Sequence, residues 1–219
     1  MRYAIYYCPQ AETELAHFGH AWLDLDARVT GIGPDRLDEL LRDARRYGWH
    51  ATIRAPFELM ASYTLSDLYR AVGSIAHTMH AFDMPLQLDS LAGFLALRPA
   101  GTSGRIDALA ATCLQALQPL CAPLDEAHRR QRAHGLDPVE RDLLRRYGYP
   151  YVLDRYRFHM TLAAPASPSE ERALLSALRA RGLETATARI DALTICRERY
   201  PGGDFEEIEH IPLTIKEAA

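Results

Sequence analysis

The stretch "RYGWHATIRAP", from Arg46 to Pro56, is repeated in outline as "RYRFHMTLAAP", from Arg155 to Pro165, with the two histidines 109 residues apart in a chain of 219. Arg, Tyr, His, Thr, Ala and Pro recur at matched places, and Trp49 pairs with Phe158 and Ile53 with Leu162. Such a repeat implies two equivalent structural units, each presenting one His-x-Thr element. The one fold must therefore place two similar strands in similar surroundings.

Between and around these elements the pattern alternates helix and strand. "RYAIYYCP" is a β-prone run, and a helical stretch follows over about 11–23. Pro34 opens a helix whose Leu37, Leu40, Leu41 and Ala44 recur at helical spacing, and Gly48 closes it. After the first His-x-Thr strand come a helix over about 66–81 and two β-runs, "MPLQLDSL" and "GFLALRP". The second half opens on a helix with Ile106, Leu109, Ala110, Cys113 and Leu117 on its apolar face. An Arg-rich helical excursion over 124–147 then has no partner in the first half. The second His-x-Thr strand, over about 157–163, leads to a helix through "SEERALLSALRARG" and to two β-runs, "ATARIDALTICRERY" and "DFEEIEHIPLTI". Each half thus reads strand, helix, strand, strand. That pattern predicts an α+β fold, with two antiparallel sheets flanked by helices around a cleft, in one domain of two lobes (about 1–100 and 101–219).

Bulk properties exclude several classes. A chain of 219 residues buries a sizeable core without crosslinks. The cysteines Cys8, Cys113, Cys121 and Cys196 form no CxxC pair, and "MRYAIYYCPQ" is not built like a secretory leader, so a reduced cytoplasmic protein is expected. No window approaches the ~18 apolar residues of a membrane helix. A net charge of −4 disfavours nonspecific attachment to nucleic acid, which needs many cations facing phosphates. His17 with His20, and His77 with His80, have i,i+3 spacing but no further ligands in a recognised pattern, so no metal site is expected there.

In a strand alternate side chains share a face, which puts His50, Thr52 and Arg54 together, and likewise Arg157, His159 and Thr161. Imidazoles exchange protons near neutral pH, threonine hydroxyls donate to phosphate oxygens, and arginine supplies fixed charge. The set suits a phosphate ester. In-line cleavage of a phosphodiester needs a base for the entering oxygen and an acid for the leaving one, so one imidazole must start neutral and the other protonated. No metal and no cofactor is required by this scheme.

"HATI" and "HMTL" fit the paired H-x-[TS]-hydrophobic motifs of the two-histidine (2H) phosphoesterase superfamily, which the chain resembles. The surrounding "RRYGWHATIRAPF", "GFLALRP" and "YRFHMTLAAP" look like the branch associated with bacterial phosphonate-utilisation operons, over nearly the whole chain. The resemblance implies a bilobal pseudo-twofold fold and metal-independent hydrolysis of a small cyclic phosphate, such as a ribose cyclic phosphate. His50, Thr52, His159 and Thr161 would be catalytic, with Arg54, Arg157 and Tyr156 at the substrate. It leaves open which histidine is the base. Two alternatives stand beside it: a phosphodiesterase for 2′,3′-cyclic nucleotides or RNA ends, with Tyr3, Tyr6, Tyr149, Tyr151 and Tyr156 as stacking groups, and a non-catalytic module binding a phosphorylated ligand or RNA.

Overall fold

In the computed structural model, which describes residues 1–24 and 26–214, the chain forms one eight-stranded antiparallel sheet with helices packed on it. The order along the chain is β1 (Arg2–Tyr7), α1 (Glu14–Leu23), α2 (Pro34–Tyr47), β2 (Ala51–Phe57), α3 (Leu65–Thr78), β3 (Phe82–Leu91) and β4 (Phe94–Pro99). There follow α4 (Gly104–Leu117), α5 (Glu126–Arg132), α6 (Pro138–Tyr147), β5 (Met160–Ala163), α7 (Pro168–Ala180), β6 (Thr185–Ile190), β7 (Ala192–Glu198) and β8 (Phe205–Pro212). Ile215, the last residue of the β-run expected at the C-terminal end, lies outside the described residues. No described helix is long and apolar enough to cross a membrane.

The α+β class agrees with the reading of the sequence, but the two separate sheets do not. The strands run β6-β3-β4-β5-β2-β1-β7-β8 without a break. The join between its halves is narrow: β2 and β5 share a single registered pair, Ala51 with Met160. Nor does a division near residue 100 follow the sheet. One half takes β3 and β4 with β5 and β6, while the other takes β1 and β2 with β7 and β8. The run "ATARIDALTICRERY" is accordingly two strands rather than one. It breaks at Asp191, β6 pairing with β3 and β7 with β1, because a single strand cannot serve ladders at opposite ends of the sheet.

The helix limits follow local chemistry. Thr13 caps α1 by accepting from the Ala16 amide at 3.2 Å. Reciprocal capping boxes, Thr64 with Asp67, Asp137 with Glu140, and Ser167 with Glu170, open α3, α6 and α7. Gly48, at φ 74°, ends α2 in a conformation a side chain would strain and turns the chain into the first histidine. The apolar faces of α2, α3, α4 and α7 bury Leu41, Val72, Leu109 and Leu174 against the sheet.

Two indoles tie α1 to the motif strands. Trp22 donates to the Leu162 carbonyl at 2.8 Å, and Trp49 donates to the Leu15 carbonyl at 2.9 Å. Trp49 lies so close to α1 that a Cβ at Gly19 would sit 2.1 Å from its ring. On the other side of the seam, the Ala164 amide donates to the Leu40 carbonyl of α2 at 2.8 Å. Both motif strands are thus anchored to α1, and the second to α2 as well.

Candidate functional site

His50 and His159 stand one residue before β2 and β5. Since Ala51 is registered with Met160, carrying the antiparallel register one residue either way sets His50 opposite Thr161 and Thr52 opposite His159. Directly opposed residues in such a pair have Cβ atoms about 5 Å apart and point to one face. The four side chains therefore converge on the seam, each histidine facing the threonine of the other copy. They line a cavity of about 340 Å³, within the range of small-ligand sites.

The two copies hold their imidazoles alike. The His50 Nδ1–H donates to the Gly48 carbonyl at 2.9 Å, and the His159 Nδ1–H donates to the Arg157 carbonyl at 2.8 Å. A carbonyl can only accept, so the proton is fixed on Nδ1 and each Nε2 carries a lone pair. Thr52 Oγ1 is 3.3 Å from the His50 Nε2.

Burial, the largest influence, pushes the His50 pKa down to about 4. The bond to Gly48 and the charge of Glu207 oppose this, while His159 adds to it. His159 is likewise lowered, first by burial and then by the Arg98 guanidinium, against the bond to the Arg157 carbonyl. Both rings are neutral at pH 7. Burial thus works against the cation that one of the two is expected to carry, because it penalises charge at both positions.

The walls of the cavity are aromatic. Tyr6 lies against His50 with ring centroids 4.1 Å apart, Tyr47 is 5.9 Å from the same ring, and Phe94 meets His159 edge-on at 5.4 Å. Tyr149 closes another side; burial holds its phenol protonated, with a pKa near 12. Of these residues, sequence reasoning placed only Tyr6 and Tyr149 among candidate stacking groups. Tyr47 and Phe94 sit in the quoted motif contexts; Tyr47 ends α2 three residues before His50, and the pairing of β4 with β5 brings the strand of Phe94 to the seam.

The three expected substrate contacts lie elsewhere. Arg54 is 3 % exposed and directed at the helix layer, donating to the Tyr147 carbonyl at 3.1 Å and to Gln118 Oε1 at 3.3 Å. The cause is a β-bulge: Tyr6 is registered with Thr52 but Ile5 with Arg54, so β2 carries an extra residue at Ile53. The bulge reverses the alternation, and Ala55 rather than Arg54 lines the cavity. Arg157 is exposed and donates to the carbonyls of Asp154 and Tyr156 at 2.9 and 2.6 Å. Tyr156 is buried, and its hydroxyl donates to the Thr52 carbonyl at 2.9 Å, which joins the second motif to the first strand. The flanking arginines are tied as well, Arg46 to the buried Glu198 and Arg155 to Asp137, each at 2.7 Å.

A family model described as "Protein of unknown function (DUF1045)" matches residues 52–206, and the chain belongs to that family. Its curated relatives include a protein of Janthinobacterium sp. (strain Marseille) named ribose 1,5-bisphosphate phosphokinase PhnN, 35% identical over 97% of this chain and 51% of that protein. A second, from Laribacter hongkongensis (strain HLHK9), bears the same name and is 37% identical over 75% of this chain and 40% of its own length. The chain thus spans about half the length of these relatives, or less. A crystal structure of TT0787 of Thermus thermophilus overlays with a TM-score of 0.49 at 14% identity, covering 99% of this chain and 100% of that one, a likeness too low to bear on function.

These names correct the expected activity. The sequence reading gave a phosphoric diester hydrolase opening a cyclic phosphate, whereas the relatives are named as a kinase, an enzyme that transfers a phosphoryl group. The hydrolase reading came from the motif pair. The same imidazoles and hydroxyls serve any proton transfer beside a phosphate, so the motif alone does not select the reaction.

Proposed function

We propose that the cavity at the seam binds a small phosphorylated sugar of the ribose phosphate class and moves protons at its hydroxyl groups. One observation carries this reading. Two imidazoles, both neutral with Nδ1–H bonded to a backbone carbonyl, present Nε2 lone pairs beside two threonine hydroxyls in a single cavity. A neutral Nε2 is a base, able to take a proton from a sugar hydroxyl that is to accept a phosphoryl group, and threonine hydroxyls can donate to phosphate oxygens. His50, Thr52, His159 and Thr161 are the residues to which the role falls. The name shared by the relatives supports the ligand class. So does the resemblance of the motif contexts to the phosphonate-associated branch of the two-histidine superfamily, with which we infer kinship.

The test is titration calorimetry with ribose 5-phosphate, ribose 1,5-bisphosphate and adenosine 5′-phosphate, followed by phosphorus NMR of the bound ligand. Wild type should bind a ribose phosphate, and His50→Gln and His159→Gln should each weaken binding or remove its pH dependence. Absence of binding to both ribose phosphates would overturn the reading. Tighter binding of the nucleotide would move the ligand class from sugars to nucleosides, using the tyrosine walls.

A further inference from the structure

The cavity lining is short of positive charge for an anionic ligand. Its fixed charge is that of Asp43, exposed at the rim, and both imidazoles are neutral. Arg54 faces the helix layer, and Arg98, beside His159, is bonded to Asp89 at 2.6 Å. One candidate lies in the excursion that has no counterpart in the first half. Arg132, the last residue of α5, is exposed and reaches the Gly148 carbonyl at 3.4 Å, next to Tyr149 in the cavity wall. Its charge acts on the Tyr149 phenol.

Arg132, like Arg141, differs from the other arginines of the excursion's helices. Arg129 and Arg130 are paired with Glu126, and Arg145 and Arg146 with Asp142, whereas Arg132 has no carboxylate at ion-pair distance among the described residues. Among the described residues its one hydrogen bond is long and leaves most of the guanidinium's donors free.

We propose that Arg132 and the Tyr149 hydroxyl form a second anion-binding point at the mouth of the cavity, so that the preferred ligand is a sugar carrying phosphates at both ends. One phosphate lies at the threonine hydroxyls and the other at the mouth. The excursion over 124–147 is then a specificity element of the site and not only a solvated helix pair. This inference rests on the phosphosugar reading above and adds the second phosphate to it.

The experiment compares ribose 1,5-bisphosphate with ribose 5-phosphate by calorimetry on wild type, Arg132→Gln and, as a control, Arg130→Gln, which is paired with Glu126. Arg132 is exposed, so the substitution spares the core. Arg132→Gln should weaken the bisphosphate about fivefold or more, as expected for one charge-assisted contact at a partly wet site, and leave the monophosphate unchanged. The preference for the bisphosphate should also shrink in high salt. Equal weakening of both ligands, or none, would overturn the second anion point while leaving the phosphosugar reading in place. Failure of wild type to bind either ligand would end both.

Discussion

Acidification of the protein tests the central feature of the site, the neutral His50 imidazole. An unfolded chain protonates this ring near pH 6.5, whereas burial in the fold holds its pKa at about 4. Each tenfold change in proton affinity is worth about 1.4 kcal/mol, so the depression amounts to about 3 kcal/mol as an order of magnitude. The sign follows from linkage. Above pH 6.5 the ring is neutral in both states and carries no pH-dependent cost. As pH falls from 6.5 towards 4 the unfolded state takes up the proton and the folded state does not, so stability is lost through that window. Urea unfolding of wild type and His50→Gln at pH 7 and pH 4.5 measures this directly, because the carboxylates and His159 titrate in both proteins and cancel in the difference. Wild type should lose about 2 to 3 kcal/mol more than the variant between the two pH values. Equal losses would refute the reasoning, as would an NMR titration placing the His50 ring midpoint near 6.5.

Three further substitutions probe how the site is held. Gly19→Ala should improve intrinsic helix propensity yet destabilise the protein by about 1 to 3 kcal/mol, since the new methyl meets the Trp49 indole; thermal unfolding and tryptophan fluorescence report it. Arg54→Met should change stability by only about 1 kcal/mol, because a desolvated, partly satisfied cation is replaced by an apolar chain of similar reach, and phosphosugar affinity should not change. A collapse of affinity with the fold intact would return Arg54 to the site. Tyr156→Phe removes the bond to the Thr52 carbonyl and should cost about 1 kcal/mol in urea unfolding. An unchanged midpoint would mean that this link does not hold β2 and the second motif together.

The repeat alone determined that two His-x-Thr elements occur in matched context, and their side-chain types limited the chemistry to proton transfer and hydrogen bonding near an anion. The helices were legible in outline, and the ends of α2 directly, since Pro34 and Gly48 mark them by local backbone chemistry; the Thr64 and Ser167 caps of α3 and α7 came only with the structure. What depended on pairing between distant strands was not. The single sheet, the exchange of strands between its halves and the break at Asp191 follow from ladders that join residues up to about two hundred positions apart, and strand periodicity carries no record of its partner. Arg54 shows the same limit at one residue. Period-two alternation put it beside Thr52, but the bulge at Ile53 turned it into the helix layer, and bulges are set by register with a neighbouring strand. Even the protonation of the histidines was a tertiary matter: composition supplies an imidazole that titrates near neutrality, and only the packing around the seam, which half-buries both rings, lowers their proton affinity.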